Sequence, residues 1–163
     1  MSSETKLHEL YDRDFVQWTE DQATALRHAK SAGANLPLDW ENLAEEIESL
    51  GKSLRRELRS QIRRILRHLF KFAASPATDP RAGWHATIAD ARAEIEDILR
   101  DSPSLQREIR DLVVEQAAVA AKLAAADLTD HGEPTDTVWA RLTAGGFTAD
   151  QVLTDWFPDR PES

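Results

Sequence analysis

The chain has 163 residues and a mass of 18.3 kDa, enough for one domain with a real core and too short for two ordinary ones. Apolar residues make up 41% and charged residues 30%, a balance that fits a globular chain and excludes wholesale disorder. The net charge of -9 repels phosphate on average and argues against nucleic acid as a partner; the absence of cysteine excludes disulfides, thiolate catalysis and cysteine-ligated metal centres.

The opening residues, up to Phe15, contain no apolar run of the signal-peptide kind. No later stretch approaches the roughly 18 apolar residues of a membrane span. A cytoplasmic protein with no membrane segment is therefore expected. Strand-like alternation is absent, whereas apolar residues recur at steps of three and four almost throughout. Tyr11, Phe15, Trp18, Gln22, Ala25 and Ala29 predict one helix ending near Gly33. Leu36-Pro37-Leu38 reads as an extended connector, and Asp39 as the N-cap of the helix that follows.

That next helix carries Leu43, Ile47, Leu50, Leu54, Leu58, Ile62, Ile65, Leu69 and Phe72 in unbroken phase. One helix from Asp39 to about Ala73 is predicted, roughly 50 Å long at 1.5 Å per residue. A break at Gly51, with Ser53 capping a second helix, is the competing reading. The prolines of Ser75 to Pro80 make a loop. Trp84, Ile88, Ala91, Ile95, Ile98 and Leu99 mark a third helix. Ser102-Pro103 reads as an N-cap with proline at the first helical position, opening a fourth helix with Leu105, Ile109, Leu112, Gln116, Val119 and Leu123 on its stripe. After Thr129 comes a smaller appendage that turns at Gly145-Gly146, with Thr148 and Gln151 suited to a capping box. The expectation is an all-α, up-and-down helical bundle over residues 1–128, with a small C-terminal helical appendage over 129–163.

Several stretches resemble a bacterial family known only as domain of unknown function 29. They are Leu10-Tyr11-Asp12-Arg13-Asp14-Phe15 with Trp18, the run from Trp40 to Gly51, His68-Leu69-Phe70-Lys71, Trp84 with Ile88 and Arg92, and Asp101 to Leu105. Phe72 departs from the family, which more often has tryptophan there. The resemblance implies an all-helical bacterial cytoplasmic domain and brings no activity, cofactor or catalytic residue.

Charge on the long helix is sorted. Residues 39–50 hold five acids and no base, whereas residues 52–71 hold eight bases against Glu57 alone. The helix dipole favours that order of signs but does not explain so dense a run of arginine. Glu41, Glu45 and Glu48 share a face, yet no histidine stands three residues from any of them, so no metal site and no cofactor are expected. Glu46 borders the apolar stripe and is expected to be a buried, paired carboxylate.

Arg63 and His68 enclose four residues, a spacing that resembles the Arg-x4-6-His signature of the HEPN ribonucleases. There arginine would hold phosphate and histidine would move a proton. A hydrogen-bonded histidine at a core edge is the preferred reading. Asp14, Glu45, Glu46, Arg59, Arg63, Arg67, His68 and Arg92 are the candidate polar or interface positions. No nucleophile elbow or phosphate loop occurs. Trp156-Phe157-Pro158 is expected either to pack back on the bundle or to dock on a partner. The functional expectation is a protein–protein interaction module without catalysis that forms an antiparallel homodimer along the long helix, centred near Glu57.

Overall fold

The computed structural model describes residues 3–161; Met1, Ser2, Glu162 and Ser163, the outermost residues of the two expected segments, lie outside that range. Every regular element among the described residues is helical. They are α1 (Ser3–Arg13), α2 (Phe15–Ser31), α3 (Trp40–Ala74), α4 (Arg81–Asp101), a 3-10 turn (Pro103–Glu108), α5 (Ile109–Asp130), α6 (Asp136–Thr143) and α7 (Ala149–Leu153). The long helix is present as one piece of 35 residues. Among the described residues two compact units form, one within residues 3–57 and 97–106, the other within residues 58–96 and 107–161.

In the first unit the expected opening helix is two helices. Asp14 interrupts it with an extended backbone (φ -157°, ψ 90°), and its carboxylate accepts the Gln17 N–H at 2.9 Å. An aspartate able to bond the backbone ahead of it favours a cap over a helix interior. The buried face of α2 is Val16, Thr19 and Ala23, not the predicted aromatic stripe. Tyr11, Phe15 and Trp18 instead pack on one another, with ring centres 4.9–5.8 Å apart.

Asp39 caps α3 as expected, accepting the Asn42 N–H at 3.3 Å. Gly51 does not break the helix, and Ser53 caps nothing, since its hydroxyl donates back to the Ser49 carbonyl at 3.0 Å. Gly51 is buried, and a Cβ built there would collide with Thr19 Oγ1. That close approach accounts for a residue that costs about 1 kcal/mol against alanine in a helix interior.

Ser102 does not cap a helix as predicted. Its hydroxyl accepts the Val16 N–H at 3.2 Å, one of the first-turn donors that α2 cannot satisfy internally. Pro103 opens the 3-10 turn, so α5 starts only at Ile109. Leu43 and Leu50, both on the predicted core stripe, are 40% and 50% exposed. The α2 helix closes over the neighbouring row at Gly51 and leaves the leucine row uncovered.

In the second unit Leu58, Ile62, Ile65, Leu66, Leu69, Phe70 and Phe72 of α3 are buried, as are Ile88, Ala91 and Ile95 of α4. Helix α5 contributes alanines at 120, 121, 124 and 125, so its backbone can lie close to its neighbours. This shifts the contact face away from the predicted stripe, and Val119 and Leu123 are 47% and 36% exposed. Thr148 and Gln151 form the predicted capping box at α7. The C-terminal aromatics pack back: Phe147 lies on Phe70 at 4.9 Å, and Phe157 lies on Phe72 at 5.3 Å.

Candidate functional site

The density of arginine on α3 has a structural account. A guanidinium on a long stem can reach the flank of an adjacent helix and still present several donors. Arg55 meets Glu20 at 2.6 Å and Lys52 meets Glu48 at 2.9 Å. Further along, Arg59 meets Glu115 at 3.7 Å, and Arg63 donates to the Gln116 side chain at 3.4 Å. Arg67 clamps Asp127 through Nε at 2.8 Å and Nη2 at 2.5 Å, and Lys71 reaches the same carboxylate at 3.3 Å. The basic strip is thus largely tied within the chain.

The acidic end is tied as well. Glu48 pairs with Arg27 at 3.4 Å, and Glu41 pairs with Lys30 at 3.2 Å. Glu45 is exposed, and so is Glu46, against the expectation that it would be buried and paired. Residue 46 lies on the open side of α3, the side that α2 leaves uncovered. Among the described residues no group of three histidine, aspartate or glutamate side chains could hold a metal ion.

Two predicted polar positions hold the backbone in place. Asp14 accepts the Ser104 N–H at 2.7 Å and its hydroxyl at 2.9 Å besides capping α2. Buried Arg92 donates to the carbonyls of Val152, Gln151 and Trp156 at 2.9, 3.1 and 2.9 Å and stacks over the Phe157 ring. It thereby satisfies two carbonyls in the last turn of α7 that no helical N–H reaches, and the carbonyl of Trp156 beyond the helix.

The chemistry-bearing groups of the second unit gather on either side of Arg67. On one side an open depression of about 300 Å³ is lined by Arg63, Arg64, Arg67, His68, Thr87 and Leu123. The spacing of Arg63 and His68 therefore does place both on one concavity. His68 Nδ1 lies 2.9 Å from the Arg64 carbonyl; a carbonyl only accepts, so the proton sits on Nδ1 and Nε2 is left as the acceptor. Burial lowers the His68 pKa, and the cations Lys71 and Arg67 lower it further against a partly opposing pull from the Arg64 carbonyl.

On the other side a cavity of about 230 Å³ is lined by Arg67, Lys71, Trp84, Asp127, His131 and Glu133, with Pro80 and Leu128. Lys71 Nζ stands 4.9 Å from the Trp84 ring centre. Burial lowers the Lys71 pKa, and Asp127 opposes that in part. Burial also works to raise the Asp127 carboxyl, but the Arg67 hydrogen bonds and the Lys71 charge outweigh it and hold the group below its ordinary range. Sequence reasoning named Arg67 here and missed its partners. Asp127 follows an alanine run sixty residues away, and nothing local marks it.

The sequence pattern of a family described as "Domain of unknown function DUF29" matches residues 10–157. Among solved structures, an alpha-helical protein of unknown function from Rhodospirillum rubrum is similar, with 26% identity and a TM-score of 0.73 over 91% of each chain. No curated protein matches.

Proposed function

From the premise that the chain belongs to the DUF29 family, a domain of unknown function, we propose that it is a non-catalytic protein-association module whose partner is a second copy of itself. The observation that carries this reading is the row Leu43, Ile47, Leu50 and Leu54 on α3. It is spaced four, three, four, as in a helix–helix seam, with Leu43 and Leu50 40% and 50% exposed and the other two only part-buried. Leu36 and Leu38, just before α3, add further exposed apolar surface at 62% and 46%. A single helix face with this pattern gains most by pairing with a like face, at about 25 cal/mol per Å² of apolar area covered.

The 4-3-4 spacing is symmetric about the point between Glu48 and Ser49. In an antiparallel pair, Leu43 of one copy lies level with Leu54 of the other, and Ile47 with Leu50. This register replaces the one centred near Glu57, which sets Leu50 level with Arg64 and draws on arginines already engaged by α5. The chain has no cysteine, so single cysteines report pairing cleanly. Ile47→Cys mixed with Leu50→Cys should form the mixed disulfide faster than either variant alone forms its own. Faster self-linking of Ile47→Cys indicates parallel pairing, and no interchain product contradicts self-association. A cytoplasmic setting belongs to this reading; among the described residues no helix is long and apolar enough to cross a membrane.

One observation favours a second reading, an RNA-acting enzyme of the HEPN kind. Arg63 and His68 line one open depression, and the Nε2 of a neutral His68 is free to take a proton. It ranks second because Arg63 and Arg67, the cations that would hold phosphate, are engaged by α5. Metal-free cleavage of single-stranded RNA that His68→Ala abolishes without unfolding the chain would put it first.

A further inference from the structure

An open depression of about 260 Å³ in the first unit is lined by Tyr11, Asp12, Phe15, Leu54 and Asp101. Its apolar wall is a corner of two rings. Tyr11 stands at 81° to Phe15, with centres 5.6 Å apart. Trp18 packs on both rings, nearly parallel to Phe15 and perpendicular to Tyr11, and so holds the corner in shape. Tyr11 remains 48% exposed, which leaves part of its surface open to a ligand.

The rest of the wall is acidic and has no counter-charge. The carboxylates of Asp12 and Asp101 make no ion pair and no hydrogen bond among the described residues. Each lies in the last turn of its helix, α1 or α4, where the dipole disfavours an acid and favours a cation. The bases of those same turns are spent elsewhere, Arg13 on Glu9 at 3.9 Å and Arg100 on Asp97 at 2.6 Å. On α3, Arg55 beside Leu54 is held by Glu20 at 2.6 Å. Lys52 and Arg56, two positions either side of Leu54, project from the opposite face of the helix. No basic side chain lines the depression.

We propose that this corner binds a small quaternary ammonium cation of the choline type, with its methyl groups against Tyr11, Phe15 and Leu54 and its charge beside Asp12 and Asp101. Ring faces attract cations, and the two carboxylates add to that field. A primary ammonium or guanidinium fits less well, because the rings and Leu54 offer little to N–H donors that must give up water. A hydrated divalent cation gains nothing from the rings. A betaine brings its own carboxylate up to two aspartates. Leu54 ends the row proposed to pair, so the depression lies at the edge of that seam and the proposal does not rest on pairing.

Tyr11 is the only tyrosine, so its ring protons report on the corner directly in nuclear magnetic resonance spectra. Choline added to the full chain at constant ionic strength should shift them saturably in the millimolar range. Its neutral isostere 3,3-dimethylbutan-1-ol and glycine betaine should each bind at least about tenfold more weakly, and magnesium should not displace choline. Asp12→Asn combined with Asp101→Asn, with helical circular dichroism unchanged, should weaken choline about tenfold. Leu50→Glu, which blocks pairing, should bind choline as the parent does, so that a failed dimer and a failed site are read apart. The proposal is overturned if choline does not saturate, if the neutral isostere binds as well, if magnesium displaces choline, or if the double change leaves its affinity unaltered.

Discussion

Arg67 and Asp127, sixty positions apart, meet through two hydrogen bonds of 2.8 and 2.5 Å that tie α3 to α5. Because Lys71 leans on the same carboxylate, removing it strands two cations at once. Asp127→Asn should therefore destabilise the chain near neutral pH by about 1–3 kcal/mol, allowing for partial exposure of the pair. The Asp127 pKa is lowered in the fold from 3.8. Its stabilising effect is thus fully present above 3.8 and is lost as pH falls through the lower folded value. Urea unfolding of parent and variant should show a gap that narrows in acid.

His68 works through the same linkage with the opposite charge type. Its folded pKa lies below the ordinary 6.5, so the unfolded chain takes up the proton first. Stability should accordingly fall as pH drops through 6.5 and then level off below the folded pKa. His68→Gln should flatten that part of the profile, which denaturant melts at stepped pH would reveal.

At Gly51 two effects oppose each other. Alanine gains about 1 kcal/mol in helix propensity, but its methyl would meet Thr19 Oγ1, which is held by its bond to the Val16 carbonyl at 2.7 Å. Overpacking of this kind typically costs about 1–3 kcal/mol. Gly51→Ala should therefore lower the melting temperature, whereas the double change with Thr19→Ala should recover most of the loss.

Arg92 holds three carbonyls at the C-terminal end. Lysine cannot reproduce that fork. Arg92→Lys should destabilise by about 2–4 kcal/mol and open residues 149–157 to limited proteolysis before the rest of the chain. Faster cleavage elsewhere, with this segment spared, would contradict the role given to Arg92.

The periodicity of α3 was legible because 35 residues hold one phase, and helix period survives any packing. Capping at Asp39 and Thr148 was legible because the partners stand three residues away. Asp14 misled because its side chain terminates a pattern that the apolar spacing continues. Ser102 misled because its hydroxyl serves Val16, 86 positions away. The exposure of Leu50, the burial of the α5 alanines and the meeting of Arg67 with Asp127 depend on which neighbour covers which face. Local spacing carries no record of that choice. The candidate site was half visible for this reason: Arg63, Arg67 and His68 lie on one helix, whereas Asp127, Trp84 and Glu133 come from elsewhere in the chain.

The central claim is that the open leucine row of α3 pairs with itself, and light scattering coupled to size exclusion measures this most directly. At tens of micromolar the parent chain should elute with twice its mass of 18.3 kDa. Leu50→Glu, which places a charge in a face that is 50% exposed in the single chain, should elute at 18.3 kDa while keeping its helical circular dichroism. A parent chain that elutes at 18.3 kDa under the same conditions would contradict the account.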